Sequence, residues 1–150
     1  MREHTKGVPM SLPKLSATKL TPNLLVSNVE RSLDFYEDVL GFTRGMTVPE
    51  QSPFVFASVT SGPVEIFLND RSTVTKESPQ MAGLATGGGN TMFIEVAGID
   101  ALHEAIKPRV KITMPIVTQW YGMREFAVAD PDGYVMTFAE RVGMEPGGTA

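Results

Sequence analysis

The stretch that decides the fold is LTPNLLVSNVERSLDFYEDVLGF, residues 20–42. Its first seven residues alternate and are β-prone, which predicts a strand over 20–26. Asn28 stands at an N-cap position, where its side-chain oxygen can accept an otherwise unpaired helix N–H. Val29, Leu33, Tyr36 and Leu40 then recur at helical spacing, and Gly41 stands where helices commonly turn into left-handed backbone. Seventy positions on, NTMFIEVAGIDALHEAI (90–106) repeats the phrase more faintly. It predicts a strand over 91–97 and a helix over 99–106 with Ile99, Leu102 and Ile106 on one face.

Working outward, strands are expected over 42–48, 54–60 and 63–69, the last two joined by the turn TSGP. The segment 71–90 is rich in small, polar and turn residues without a strong period, and reads as a connection between two halves. Further strands are expected near 111–118, 123–129 and 134–140. The last pair turns on DPDG (130–133), where Pro131 pre-sets φ, Asp130 can accept backbone N–H groups and Gly133 supplies a positive φ. The pattern is βαβββ twice. The expected fold class is therefore α+β: two βαβββ modules forming a curved mixed sheet, a cup, with helices on its outer face. Module boundaries are expected at 19–70 and 90–142, with a linker at 71–89 and flexible tails at 1–18 and 143–150; Met10 is an alternative start.

Strand parity sorts the side chains into two faces. Pro22, Leu24, Val26, Val64, Ile66, Leu68, Met92, Ile94, Val96, Tyr134, Met136 and Phe138 form an apolar face that belongs under the helices. The opposite parity carries Thr21, Glu65, Phe67, Thr91, Phe93, Glu95 and Thr137. Such a mixture fits a ligand-lining wall, the alternative being a solvent-washed sheet face. Phe56, with Phe54, and the loop pair Trp120-Tyr121 are further candidates to line or roof it. Large amphipathic aromatics can stack on a planar or cationic ligand, or else plug a hairpin corner or a dimer contact.

Composition narrows the classes. The chain has 150 residues, 42% of them hydrophobic, enough for one compact domain with a real core. A net charge of −4 argues against a nucleic-acid backbone or an anionic membrane as partner. There is no cysteine, which excludes disulfides, thiolate metal sites and a cysteine nucleophile. No apolar run approaches the roughly 20 residues of a membrane span, and the first residues lack the apolar core of a signal peptide, so the expected location is the cytoplasm.

TPNLLVSNVERSLDFYEDVLGF together with WYGMREFAVADPDGYVMTFAER (120–141) resembles the vicinal-oxygen-chelate superfamily of glyoxalases, extradiol dioxygenases, fosfomycin-resistance enzymes and bleomycin-resistance proteins. The resemblance covers most of 20–141 and implies the paired βαβββ cup, usually completed as a homodimer. It also implies four positions for histidine or glutamate metal ligands. By motif these fall on Thr21, Glu65, Thr91 and Thr137, so only Glu65 keeps a ligand-type side chain. A divalent catalytic site needs about three imidazole or carboxylate ligands. His4 lies in the tail and His103 on the second helix, which leaves a set of Glu65, Glu95 and Glu140 as the improvised alternative. The expectation is no metal and no other cofactor.

Other chemistry is weaker. No serine sits in a G-x-S-x-G elbow, and ATGGGN (85–90) lacks the lysine of a phosphate loop. DPDG lacks the rest of a calcium loop, and KPRVK (107–111) has an ordinary explanation as cations following a helix C-terminus. The pattern resembles the metal-free branch typified by bleomycin-resistance proteins. It points to a metal-independent binder of a cationic or aromatic small molecule. Two alternatives stay open: a lyase or dioxygenase with an unorthodox metal set or Glu65 as general base, and a protein-interaction module that uses the sheet face.

Overall fold

The structure, a computed structural model, describes residues 13–143. His4, Met10, residues 144–150 and most of the expected N-terminal tail lie outside these residues. Residues 13–22 form neither helix nor strand, so the first strand begins three residues later than alternation suggests.

The first module comprises β1 (Asn23–Val26), α1 (Val29–Asp34), β2 (Thr43–Val48), β3 (Phe56–Ser61) and β4 (Val64–Asp70). After α2 (Arg71–Glu77), the second repeats it with β5 (Thr91–Glu95), α3 (Ile99–Ile106), β6 (Lys111–Thr118), β7 (Met123–Ala129) and β8 (Val135–Arg141). Strand order is β1-β4-β3-β2 and β5-β8-β7-β6, so the curved sheet consists of two four-stranded halves. In each half the first strand pairs parallel with the last, and the other neighbours are antiparallel. β1 and β5 are thus edges of separate ladders.

Asn28 caps α1 as its position predicts, its Oδ1 accepting from the Arg31 N–H at 2.8 Å, an arrangement worth about 1 kcal/mol. The helix then widens into a π-turn over Phe35–Val39, where the Leu40 N–H donates to the Phe35 carbonyl. The wider turn lets two consecutive aromatics, Phe35 and Tyr36, both face inward. Gly41 adopts φ 81° at its end.

Segment 71–90 departs from its expected irregularity. Asp70 accepts from the Thr73 N–H and from the Ser72 and Thr73 hydroxyls, which starts α2, and a 3₁₀ turn follows over Pro79–Met81. Arg71 clamps the remainder by donating to the carbonyls of Ala82 and Leu84. Gly87, at φ +75°, passes so close to Gly133 that a Cβ would lie 2.5 Å from its carbonyl carbon, so the connection is seated on the DPDG turn.

Parity sorts the faces as expected. Leu24, Val26, Ile66, Leu68, Met136 and Phe138 are buried against Val29, Leu33, Phe35 and Tyr36 of the first helix and Ile99 and Ile106 of α3, in one core spanning both modules. Each fully buried aliphatic or aromatic side chain contributes roughly 1.5–3 kcal/mol. Polar ties cross the junction. The Tyr36 hydroxyl donates to Asp130 Oδ2 at 2.8 Å, and the Tyr134 hydroxyl donates to the Leu25 carbonyl at 2.8 Å. His103 stacks edge-on against Phe126 at 4.9 Å, on the helix side of its sheet.

Glu140 anchors the start of α3 by accepting from the Ile99 and Gly98 N–H groups at 2.9 and 3.0 Å. The Ile99 bond, then the Gly98 bond, holds this carboxyl below its ordinary value of 4.5. A carboxylate depressed on folding stabilises the native state above its unfolded value, and that stability is lost as pH falls through the depressed one. Glu140→Gln is therefore expected to flatten the acid limb of the stability curve below about pH 4.5, as read from urea unfolding at a series of pH values.

Candidate functional site

The mixed faces form cross-strand rows. In the first sheet Glu65 stands opposite Thr60, and Thr60 opposite Thr43; Phe67 stands opposite Ser58; Phe56 stands between Asn69 and Val48. The parallel register that pairs Asn23 with Phe67 extends to put Thr21 level with Glu65. Phe56 and Phe67 meet edge-to-face at 5.1 Å, which settles Phe56 on this wall. Phe54 does not join them: it packs against the core, with the Arg44 guanidinium 5.7 Å over its ring.

Glu65, the one ligand-type side chain at the motif-matched positions, is not free. It is ion-paired with Lys19, which reaches back from the segment before β1. Its side chain is 23% exposed.

In the second sheet one row runs Glu95, Ala139, Glu125, Val117; the next runs Phe93, Thr137, Ala127, Met114. Thr91 stands opposite Val135, not opposite Thr137. The positions matched by motif are consequently unequal in level: Glu65 faces Thr21, whereas Thr137 faces Phe93. Phe93 is 55% exposed and Trp120 63% exposed, with Tyr121 packed against Trp120 at 5.3 Å, edge to face. The Tyr121 hydroxyl donates to Glu125 Oε2 at 2.7 Å, and that bond to the carboxylate raises the phenol above its ordinary value of 10.

Glu125 is the functional candidate that sequence reasoning missed, a carboxylate only 3% exposed beneath the aromatic pair. Counting back from the DPDG hairpin would have found it, since that turn sets Ala129 opposite Val135 and hence Glu125 opposite Ala139.

Within one chain the two walls are not joined. Cavities of about 420 and 440 Å³ lie at the module junction. Thr91 lines the first and Glu95 the second, but Glu65, Phe67, Phe93, Thr137 and Trp120 line neither. Nor do the residues present suit a catalytic metal. Among the described residues no three His, Cys, Asp or Glu side chains converge, and Glu140 is committed to the start of α3. No helix among them is long and apolar enough to cross a membrane.

Residues 18–138 match the model of the glyoxalase/bleomycin resistance protein/dioxygenase superfamily. The chain is 34% identical over 131 residues to the bleomycin resistance proteins of Geobacillus stearothermophilus and Staphylococcus aureus, an alignment covering 81% of this chain and 95% of each relative. Among solved structures, a protein of unknown function from Agrobacterium tumefaciens str. C58 superposes with a TM-score of 0.71 at 23% identity, over 86% of this chain and 98% of the other. TnmS3, an antibiotic binding protein from Streptomyces sp. CB03234, superposes with a TM-score of 0.67 at 18% identity, over 85% and 99%. At these identities the structural likenesses speak for the fold.

Proposed function

Because the chain belongs to the glyoxalase/bleomycin resistance protein/dioxygenase superfamily, we propose that it is a metal-independent binding protein for a cationic or aromatic small molecule, acting as a homodimer. The observation that carries this reading is the exposure of Phe93, on the strand face that also holds Glu95 and Glu125, and of the loop pair Trp120-Tyr121, whose phenol is bonded to Glu125. Aromatic faces attract cations through the ring quadrupole, and a nearby carboxylate adds to that attraction. The names of the bleomycin resistance relatives and of the antibiotic binding neighbour support the same class of ligand.

Two features support the homodimer. The walls in one chain are open, and β2 and β6, the edges away from the module junction, are unpaired, so a second copy can complete the enclosure. Three threonines at the motif-matched ligand positions, with Glu65 paired to Lys19, support metal independence.

The test is thermal unfolding of chelator-treated protein with divalent metals and, separately, with bleomycin. A ligand at about 100 times its dissociation constant adds roughly 2.7 kcal/mol, a rise of several degrees for a chain of this size. The expected result is a rise with bleomycin or another aromatic cation and none with any metal. A metal-dependent rise abolished by Glu65→Gln would instead make an enzyme the leading reading.

A further inference from the structure

The pair between Lys19 and Glu65 is unusual in what surrounds it. The carboxylate is recessed, 23% exposed, while the lysine side chain above it is 59% exposed. Two residues along the same face lies Phe67, packed edge-to-face with Phe56. Thr60 flanks the carboxylate from the neighbouring strand, and Thr21 lies level with it on the other side. A carboxylate floor beside aromatic rings, rimmed by hydroxyls, is the arrangement an organic ammonium ion would select. The cation now in place comes from the chain itself.

Little else holds that cation there. Over residues 13–20 every residue is exposed, Leu15 at 92% and Leu20 at 87%. Lys19 makes the only side-chain hydrogen bond between this stretch and the body among the described residues.

We propose that the first sheet carries a subsite for an organic ammonium group at Glu65, Phe67 and Phe56, and that Lys19 is its tethered competitor. This rests on the small-molecule binding reading above and gives that ligand a positively charged amine. Entry is then an exchange: the ligand's ammonium replaces the lysine's on Glu65, and residues 13–20 swing away. An exposed ion pair changes an equilibrium by about fivefold at most, so the lysine competes with other cations for Glu65 without blocking a ligand whose ammonium comes with aromatic contact. The exchange also makes affinity less sensitive to salt than a bare carboxylate would, since one ion pair is broken for each one formed.

The experiment is calorimetric titration with 1-naphthylmethylammonium and with 1-naphthylmethanol, the same ring with and without the charge. The proteins are the wild type, Lys19→Ala, Glu65→Gln, the double variant and Trp120→Ala. Lys19→Ala is expected to tighten the amine about two- to fivefold and leave the alcohol unchanged. In the Glu65→Gln background the same replacement should change neither.

If Lys19→Ala leaves the amine unchanged or weakens it while the wild type still binds in a Trp120-dependent way, the competitor role is overturned and the binding reading stands. An equal gain for the alcohol would mean that the lysine acts by bulk alone, which also overturns it. If no variant binds either probe or bleomycin, both readings fall. Unfolding curves for Lys19→Ala should superimpose on the wild type's, because its side chain is mostly exposed.

Discussion

Trp120→Ala is expected to weaken binding of an aromatic cation by about 30-fold or more, the loss that truncating a central aromatic anchor typically causes. The fold should not suffer, because a ring that is 63% exposed contributes little to the core. Its position is nonetheless set. Trp120 rests edge-on against Tyr121, and Tyr121 is tied to the buried Glu125, so the indole is presented from a short loop with few degrees of freedom left. Ordering entropy that has been spent in folding is not spent again on binding. The measurement is calorimetric affinity alongside a urea unfolding curve, with Trp120→Phe as the conservative control expected to retain most of the affinity. Unchanged affinity would remove the aromatic wall from the site. A loss of affinity accompanied by a fall in molecular mass would assign Trp120 to the subunit contact instead, so the mass in solution is measured with each variant.

What was legible in the sequence follows from what each element buries. The helix Ile99–Ile106 and the strand Lys111–Thr118 coincide with their sequence-predicted ranges because an apolar stripe or an alternation runs their full length, and Met123–Ala129 does so because turns bound it at both ends. α2 escaped notice for the opposite reason: none of its residues is buried, so no period marks it, and its only signal is the cap at Asp70. Parity placed Thr21, Glu65, Phe67, Thr91, Phe93, Glu95 and Thr137 on the mixed faces, because side-chain direction in a strand follows from counting alone.

Long-range pairing is not a matter of counting. Lys19 lies 46 positions from Glu65 in an aperiodic segment, and nothing local says where its side chain returns. Glu125 lay within reach of counting once the hairpin was recognised. It was overlooked because it is flanked by Arg124 and Phe126 in a strand where one face is filled by large residues and the other by alanines. The degree of closure was the least legible feature. Whether two modules meet edge to edge within a chain depends on the junction, where a shared apolar core is tied by a few specific polar contacts.

Asp130→Ala tests that junction directly, and an unfolding free energy lower by about 3 kcal/mol is the expected result. Asp130 is 5% exposed and accepts three hydrogen bonds: from the Tyr36 hydroxyl at 2.8 Å, and from the Asp132 and Tyr134 N–H groups at 2.9 Å each. The first crosses from one module to the other, and the other two hold the hairpin turn on which Gly87 is seated. Removing the carboxylate leaves a phenol that is fully buried without its acceptor, and each such group costs about 1–3 kcal/mol. At roughly 2–4 °C per kcal/mol the midpoint should fall by about 6–12 °C.

Burial raises the Asp130 carboxyl above its ordinary value of 3.8, and the hydrogen bonds only partly counter it. The sign follows by linkage: a carboxyl raised on folding contributes stability below its unfolded value and loses it as pH rises through the folded one. The alanine variant's deficit should therefore be larger at pH 3 than at pH 7, because the native protein is favoured by taking up that proton. Tyr36→Phe separates the two roles of the carboxylate, since it removes the contact between modules and leaves the turn bonds intact. A cost close to that of Asp130→Ala would place the energy in the junction, whereas a much smaller one would place it in the hairpin.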